Sequence, residues 1–293
     1  MPDSGFSKYN INKPANYYST IHNHFDLDTH NIFASSQKIA LGQILELIQS
    51  NRPFMAGTVV DIGCGTGNML QMLIKEFTFG HIYGVDLSTE MLEIAKTKIP
   101  NLITICDSAV NIRKYFQATT VNLLISHFLF AYIDYKDLLK QFTGITKEGA
   151  LLSICSTTSN TFAKTKINVL QNLPRTIRLL NFLFKVNAEE TMKDYIKFMP
   201  QDLSTLQNEM EHNGYKILKS ENIHFTITLK TWRDAWSFFH DGSWFVGIMK
   251  QYKINKFKMF IIFYFLKIAG LFKNSNGIFK DEMEVVVITG MKI

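Results

Sequence analysis

Cysteine is scarce in this sequence: Cys64, Cys106 and Cys155 are the only three among 293 residues. They lie about 40 to 50 residues apart and form no CxxC pair, so a zinc framework is not supported. A reducing cytoplasm is the default compartment for such a chain. Proline is also rare, at six residues, and there is no low-complexity run or short-period repeat. The opening MPDSGFSKYN lacks a basic start and an apolar core, so no secretory signal is visible. Acidic residues are missing from one window. Between Lys250 and Lys280 there are seven lysines and no Asp or Glu. That window accounts for the whole net charge of +6, and the rest of the chain is near neutral. A diffusely basic, nucleic-acid-coating surface is therefore excluded, and no nucleic-acid partner is expected.

What is present is globular: 46% of residues are apolar and 19% charged. That length suits one large α/β domain, or one domain with a sizeable insertion. Residues 31–50 read as an amphipathic helix with Phe33, Ala40, Leu41, Ile44, Leu45 and Ile48 on one face. Strands and helices then alternate. "GTVVDIG", "HIYGVDL", "LITIC", "VNLLISHF" and "GALLSICS" are strands, and helices cover Asn68 to Phe77, the stretch after Ser88, and Tyr135 to Thr143. Ser88 is the expected N-cap of its helix, with Glu90 in the first turn. Such alternation predicts parallel βαβ units. Beyond Cys155 the rhythm breaks. Helical, apolar insertions are expected at about 157–199 and 231–280, a helix opens at Asp202 and stops at Gly214, and strands "YKILKSENIHFTITL" and "EMEVVVITGMKI" follow. Residues 1–30 read as a polar and aromatic lid ahead of a single domain spanning 31–293.

The stretch VDIGCGTGN holds Gly63, Gly65 and Gly67 directly after the first strand. A dinucleotide loop needs G-x-G-x-x-G, but Asn68 occupies the last glycine position. A triphosphate loop needs a Lys that is absent here. Asp61, two residues before the first glycine, disfavours pyrophosphate and favours a cationic ligand. S-adenosylmethionine carries an ammonium and a sulfonium and no phosphate. Asp86 follows the second strand and can accept from two ribose hydroxyls. Asp107 follows the third and can accept from an adenine amino group. Three acids at the ends of successive parallel strands would line one crevice.

These segments, with "YGVDLSTEML", "CDSA", "VNLLISHFLFAYID" and "KEGALLSICS", resemble the ordered motifs of class I S-adenosylmethionine-dependent methyltransferases over residues 31–156 and the closing strand. The resemblance implies a Rossmann-like seven-stranded α/β sheet whose antiparallel last strand inserts between strands five and six. It implies S-adenosylmethionine as cofactor. Asp61, Gly63, Cys64 and Gly65 would lie at the methionine part, Asp86 at the ribose, Leu87 and Met91 at the adenine faces, and Asp107 with Ser108 at the adenine edge. Asn122 departs from the Asp that many members carry in the fourth-strand motif.

The fourth strand ends in Ser126-His127-Phe128, where the transferred methyl would face. No [ND]-P-P-[YF] motif is present, which argues against exocyclic-amine or amide acceptors. The expectation is methyl transfer to a small, partly apolar molecule, at oxygen. A carrier-bound acyl group or a carbon acceptor is the alternative, and a cofactor-binding, non-catalytic subunit is the alternative from another class. His127 is the candidate base; a histidine held in the pocket wall is the competing reading. Tyr17, Tyr18 and Phe128 are candidate substrate or lid residues. "HNHFDLDTH" alternates His and Asp, but it mixes hard and soft ligands without strand-like apolar alternation, so no metal is assigned. "FKMFIIFYFLKIAGLF" is too short for a transmembrane helix. It reads as a core helix, a surface helix giving peripheral membrane contact through 250–280, or a dock for an acidic carrier. The layout is similar, in general terms, to malonyl-carrier-protein methyltransferases.

Overall fold

The structure is a computed structural model and describes residues 32–50, 57–116, 118–163, 197–241, 249, 253–268 and 278–293. In chain order the elements are α1 (Ile32–Ser50), β1 (Thr58–Ile62), α2 (Asn68–Glu76), β2 (His81–Asp86), α3 (Thr89–Lys98), β3 (Leu102–Cys106), a 3-10 helix (Ala109–Lys114) and β4 (Val121–His127). There follow α4 (Tyr135–Thr143), β5 (Thr146–Thr157), α5 (Leu203–His212), β6 (Tyr215–Leu229), α6 (Trp232–Trp236), a π-helical turn (Ser237–Asp241), α7 (Lys256–Ile268) and β7 (Phe279–Lys292).

The strands form one seven-stranded sheet in the order β3-β2-β1-β4-β5-β7-β6. The β1–β2, β2–β3, β1–β4 and β4–β5 pairs are parallel, whereas β7 runs antiparallel to both β5 and β6. The seven-stranded expectation and the place of the last strand are met. The closing strand expected from Glu282 begins earlier: β7 starts at Phe279, which pairs with Leu229. The 3-10 helix after β3 carried no periodic signal in the sequence. The segments 1–30 and 164–196, and with them Tyr17, Tyr18 and most of the first insertion, lie outside the described residues.

Alternation along the strands divides the core. Val60, Ile62, Leu124, Leu152, Ile154, Val286 and Ile288 pack with the 3-10 helix, α4 and α5. Val59, Leu123, Ile125 and Leu151 point the other way, against α1, α2 and α3. Both faces of the parallel strands are covered, which is why they read as continuous apolar runs. Local chemistry sets the helix ends. Ser88 Oγ accepts from Met91 N at 3.2 Å, and Asp202 accepts from Thr205 N at 2.8 Å. Gly214, at φ 78°, ends the turn after α5. Asn122, the residue departing from the family pattern, serves the sheet itself. Its Oδ1 accepts from Thr58 N at 2.9 Å and ties the start of β4 to β1.

The chain leaves β1 toward β2 and β3 on one side, and β4 leads to β5 on the other. Loops that part in opposite directions open a crevice between the C-terminal ends of β1 and β4. The candidate site lies there.

Candidate active site

The first wall of the crevice is the loop joining β1 to α2. Gly63, Gly65 and Gly67 all have positive φ, at 77°, 53° and 78°. Side chains rarely adopt such angles, and glycine does so without steric cost. The loop is pinned to β2: Gly63 N and Cys64 N both donate to Val85 O, at 2.8 and 3.0 Å. A Cβ added at Gly65 would meet no atom within 4 Å, so the backbone borders open space on its cleft side.

Asp86 closes this wall at the end of β2. Its Oδ2 accepts from Gly65 N at 2.9 Å and its Oδ1 from Ser88 N at 2.9 Å. Each oxygen keeps a further lone pair for a ligand hydroxyl. Burial raises the Asp86 pKa, and the N–H groups of Ser88 and Gly65 offset part of that rise. Asp61 sits behind the loop and is 3% exposed. Burial first, and the charge of Asp86 second, push its pKa up to about 8. The same two causes raise Cys64 well above an ordinary thiol and Tyr132 to about 12. Asp86 is thus the focus of a negative field felt by three neighbours.

Asp107 stands at the end of β3, half-exposed. It accepts from Asn111 Nδ2 at 2.8 Å, Tyr115 Oη at 2.7 Å and Ser108 N at 2.6 Å. These bonds lower its pKa, the Asn111 contact most.

The opposite wall is mainly apolar, with His127, Gln37, Tyr132 and Asp134 as its polar groups. Phe33 of α1 meets Phe128 edge-on, with ring centroids 4.6 Å apart. Leu129, Tyr132, Ile133 and Phe198 continue this wall. Phe128 carries φ 59°, a costly angle for a bulky residue, and its N–H donates to Cys155 O at 2.7 Å. His127 is 7% exposed and shares a 3.2 Å hydrogen bond between Nε2 and Ser153 Oγ. Its Nδ1 is buried without a partner. Burial lowers its pKa to about 3, so the ring is neutral at physiological pH.

Of the residues singled out from the sequence, Gly63, Cys64, Gly65, Asp86, Leu87, Met91, Asp107, Ser108, His127 and Phe128 all line this one crevice. Asp61 does not. It is buried behind the loop and acts on the crevice through its field. Phe33 and Gln37 of α1, and Tyr132, Ile133 and Asp134 after β4, also line it. Sequence reasoning passed over them. Their signal was weak: a position at the end of the fourth strand, and a polar Gln37 within an apolar helix. Among the described residues no group of three or more His, Cys, Asp or Glu is arranged to hold a metal.

Among the described residues, no Lys or Arg lines the crevice. Asp86 and the buried Asp61 beside it, with no basic side chain described between them, disfavour phosphate at the glycine backbone and favour a cation. The carboxylates, the open space at Gly65 and the apolar side chains of Leu87 and Met91 fit S-adenosylmethionine, which has an ammonium, a sulfonium, a ribose diol and an adenine.

Comparison with known proteins agrees. A family profile described as "Methyltransferase domain" matches residues 59–149. The chain is 30% identical over 182 residues to the ubiquinone/menaquinone biosynthesis C-methyltransferase UbiE of Campylobacter jejuni strain 81-176, covering 58% of this chain and 75% of that protein. It is also 30% identical over 117 residues to the malonyl-[acyl-carrier protein] O-methyltransferase of Priestia megaterium, covering 39% of this chain and 43% of the relative. The chain spans about two fifths of the length of this protein and of the trans-aconitate 2-methyltransferases it also matches. Among solved structures, a protein assigned as a methyltransferase from Bacillus halodurans superposes with a TM-score of 0.57 at 12% identity, covering 86% of this chain and 99% of that one. YcgJ of Bacillus subtilis superposes at 0.53 and 15% identity, covering 87% and 98%. These two likenesses establish the fold.

Proposed function

The chain belongs to the class I S-adenosylmethionine-dependent methyltransferases, and on that premise we propose that it methylates an oxygen of a small, partly apolar acceptor. The observation that carries this reading is the two-sidedness of the crevice. Glycine backbone, Asp86 and Asp107 form one wall, and Phe33, Phe128, Leu129, Ile133 and Phe198 form the other. The polar wall suits the cofactor and the apolar wall suits the acceptor.

When bound, S-adenosylmethionine supplies a methyl group on a sulfonium, which leaves as a neutral thioether. The chain's own residues bind and align. Asp61 and Asp86 hold positive charge at the loop, and Asp86 receives the ribose hydroxyls. Phe33, Phe128 and His127 hold the acceptor oxygen in line. Alignment of this kind can supply most of the needed acceleration. His127, with its pKa near 3, acts by hydrogen bonding through Nδ1 rather than by storing a proton. An acceptor that is already ionised, such as a carboxylate, needs no base. A hydroxyl acceptor passes its proton onward to water at the open side.

The relatives named for a carrier-bound malonyl group and for C-methylation support a second reading, in which the acceptor is a carrier-bound acyl group or a carbon. The test is S-adenosylhomocysteine formation with free apolar carboxylic acids and phenols, acyl carriers, and quinol-like carbon acceptors. Product mass spectrometry and NMR then locate the methyl. A new O-methyl resonance on a small acceptor supports the proposal. Methyl on carbon, or turnover restricted to carrier-bound acyl groups, overturns it for the second reading. Cofactor binding without turnover on any of these classes overturns both in favour of a non-catalytic subunit.

A further inference from the structure

We propose that the outer face of α7 is a docking surface for anionic lipid bilayers. The proposal is independent of which acceptor is methylated.

Along α7, Phe257, Phe260, Tyr264 and Ile268 recur at spacings of three and four, so they form one stripe. Their exposures are 69%, 42%, 37% and 84%. The opposite side of the helix is buried: Met259 and Phe263 pack into the apolar cluster built on Val285 and Val287 of β7. The helix is therefore anchored by one face and leaves large apolar groups in water on the other. Aromatic contacts widen the patch beyond the helix. Trp232 of α6 meets Phe260 edge-on at 5.9 Å, and Phe260 meets Tyr264 at 4.9 Å.

Cations border this patch. Helical geometry places Lys256 and Lys267 along one edge of the stripe and Lys258 along the other. Arg233 lies over the Trp232 ring at 5.0 Å and Lys256 over Trp236 at 5.8 Å. Residues 253–268 contain no Asp or Glu. An acidic protein would satisfy these cations but leave the apolar stripe unserved. A bilayer with anionic headgroups satisfies both, with the apolar stripe below the headgroups and lysines among them. No helix among the described residues is long and apolar enough to cross a membrane, so α7 would lie on the surface.

The patch also connects to the crevice. The cluster that receives Met259 and Phe263 has Phe33 and Phe128 packed against it, and both line the crevice. Bilayer contact at α7 thus bears on the same apolar body that forms the acceptor wall.

The test is flotation of the full-length protein with vesicles of phosphatidylcholine and phosphatidylglycerol, compared with phosphatidylcholine alone, at low and high salt. Binding should require the anionic lipid and weaken as salt rises. Phe257→Ser/Ile268→Ser should weaken it roughly 100-fold, from the apolar area withdrawn. Lys256→Gln/Lys267→Gln should weaken it roughly fivefold for each lysine removed. Circular dichroism and calorimetry with S-adenosylmethionine, without vesicles, should match the parent, which separates this test from that of the crevice. If the first variant does not fold, the lysine variant and the salt series decide. No flotation with anionic vesicles, or flotation unchanged in the folded variants, overturns the proposal. Binding to an acidic acyl carrier protein with none to vesicles overturns it in favour of a protein dock.

Discussion

Asp61 is buried within interaction range of a second carboxylate, and among the described residues no basic side chain lines the crevice beside it. Its pKa near 8, against an ordinary 3.8, means that below pH 8 the cofactor-free protein holds it mainly neutral. A bound ammonium favours the carboxylate, so ligand binding expels a proton. Between pH 6 and 7.5, where the ligand's own amino group keeps its proton, affinity should rise by up to about tenfold per pH unit. Calorimetry in buffers of different ionisation enthalpy would read the proton release. Asp61→Asn should abolish both the release and the slope; a slope that persists would refute the role. The sign for stability is opposite. The contribution of neutral Asp61 is complete below pH 3.8 and is lost as pH rises through about 8. Cofactor-free Asp61→Asn should therefore melt above the parent at pH 8.5. His127 gives a second test at this scale. His127→Ala should lower kcat by roughly 10- to 100-fold, the worth of an aligned hydrogen bond, while leaving cofactor affinity unchanged. His127→Gln should restore part of it. With the histidine pKa near 3, the parent's kcat should show no inflection near pH 6.5 that the variant loses. The candidate carboxylates were legible in the sequence because each stands at or near the C-terminal end of an apolar strand. Which of them is buried was not, since burial depends on α1 and on the neighbouring strands.

Helix and strand periodicities carried most of the element-scale reading. Ser88 was visible as a cap, and Asp202 as the start of a helix, because an N-cap is a local motif of a few residues. Asp202 also accepts from Thr205 Oγ1 and Ser204 Oγ, at 2.7 and 2.9 Å, and these bonds with Thr205 N lower its pKa. Asp202→Ala should destabilise α5 by about 1 kcal/mol, lowering Tm by roughly 2–4 °C. The Asp202 contribution is present above the ordinary carboxyl pKa and fades as pH falls through its lowered value. The difference from the alanine variant should thus vanish in acid; equal Tm at neutral pH would refute the cap. The helix α1 was legible as an element, but its part in the site was not. Its 3.6-residue apolar pattern says that one face is buried, not that Phe33 and Gln37 reach the mouth of the crevice. In the same way, the apolar run of α7 did not announce which side faces outward, because nearly every residue in it is apolar. That was decided by which side met the apolar cluster that also holds Val285 and Val287.

At the scale of the molecule, cofactor binding couples the loop after β1 to the stability of the whole sheet. Ligand at one hundred times Kd should stabilise the fold by about 2.7 kcal/mol, a rise in Tm of roughly 5–10 °C. At one fixed ligand concentration the rise should be larger at pH 7.5 than at pH 6, because Asp61 is then nearer to the charged form that the ligand needs and Kd is lower. A rise independent of pH in the parent would argue against Asp61 as a cation-binding group. The sequence alone determined the order of strands and helices, the glycine loop and the acids at the strand ends. Each is a local property, written in periods of 2 and 3.6 residues or in the positive φ that glycine permits. Only the tertiary structure decided that Asp61 is buried, that His127 is neutral, that Asn122 ties β1 to β4, and that α7 turns its aromatic stripe outward. Those depend on partners far away in the chain, such as Ser153 at His127 and Thr58 at Asn122. Burial, field and pairing are sums over neighbours that only the folded chain brings together.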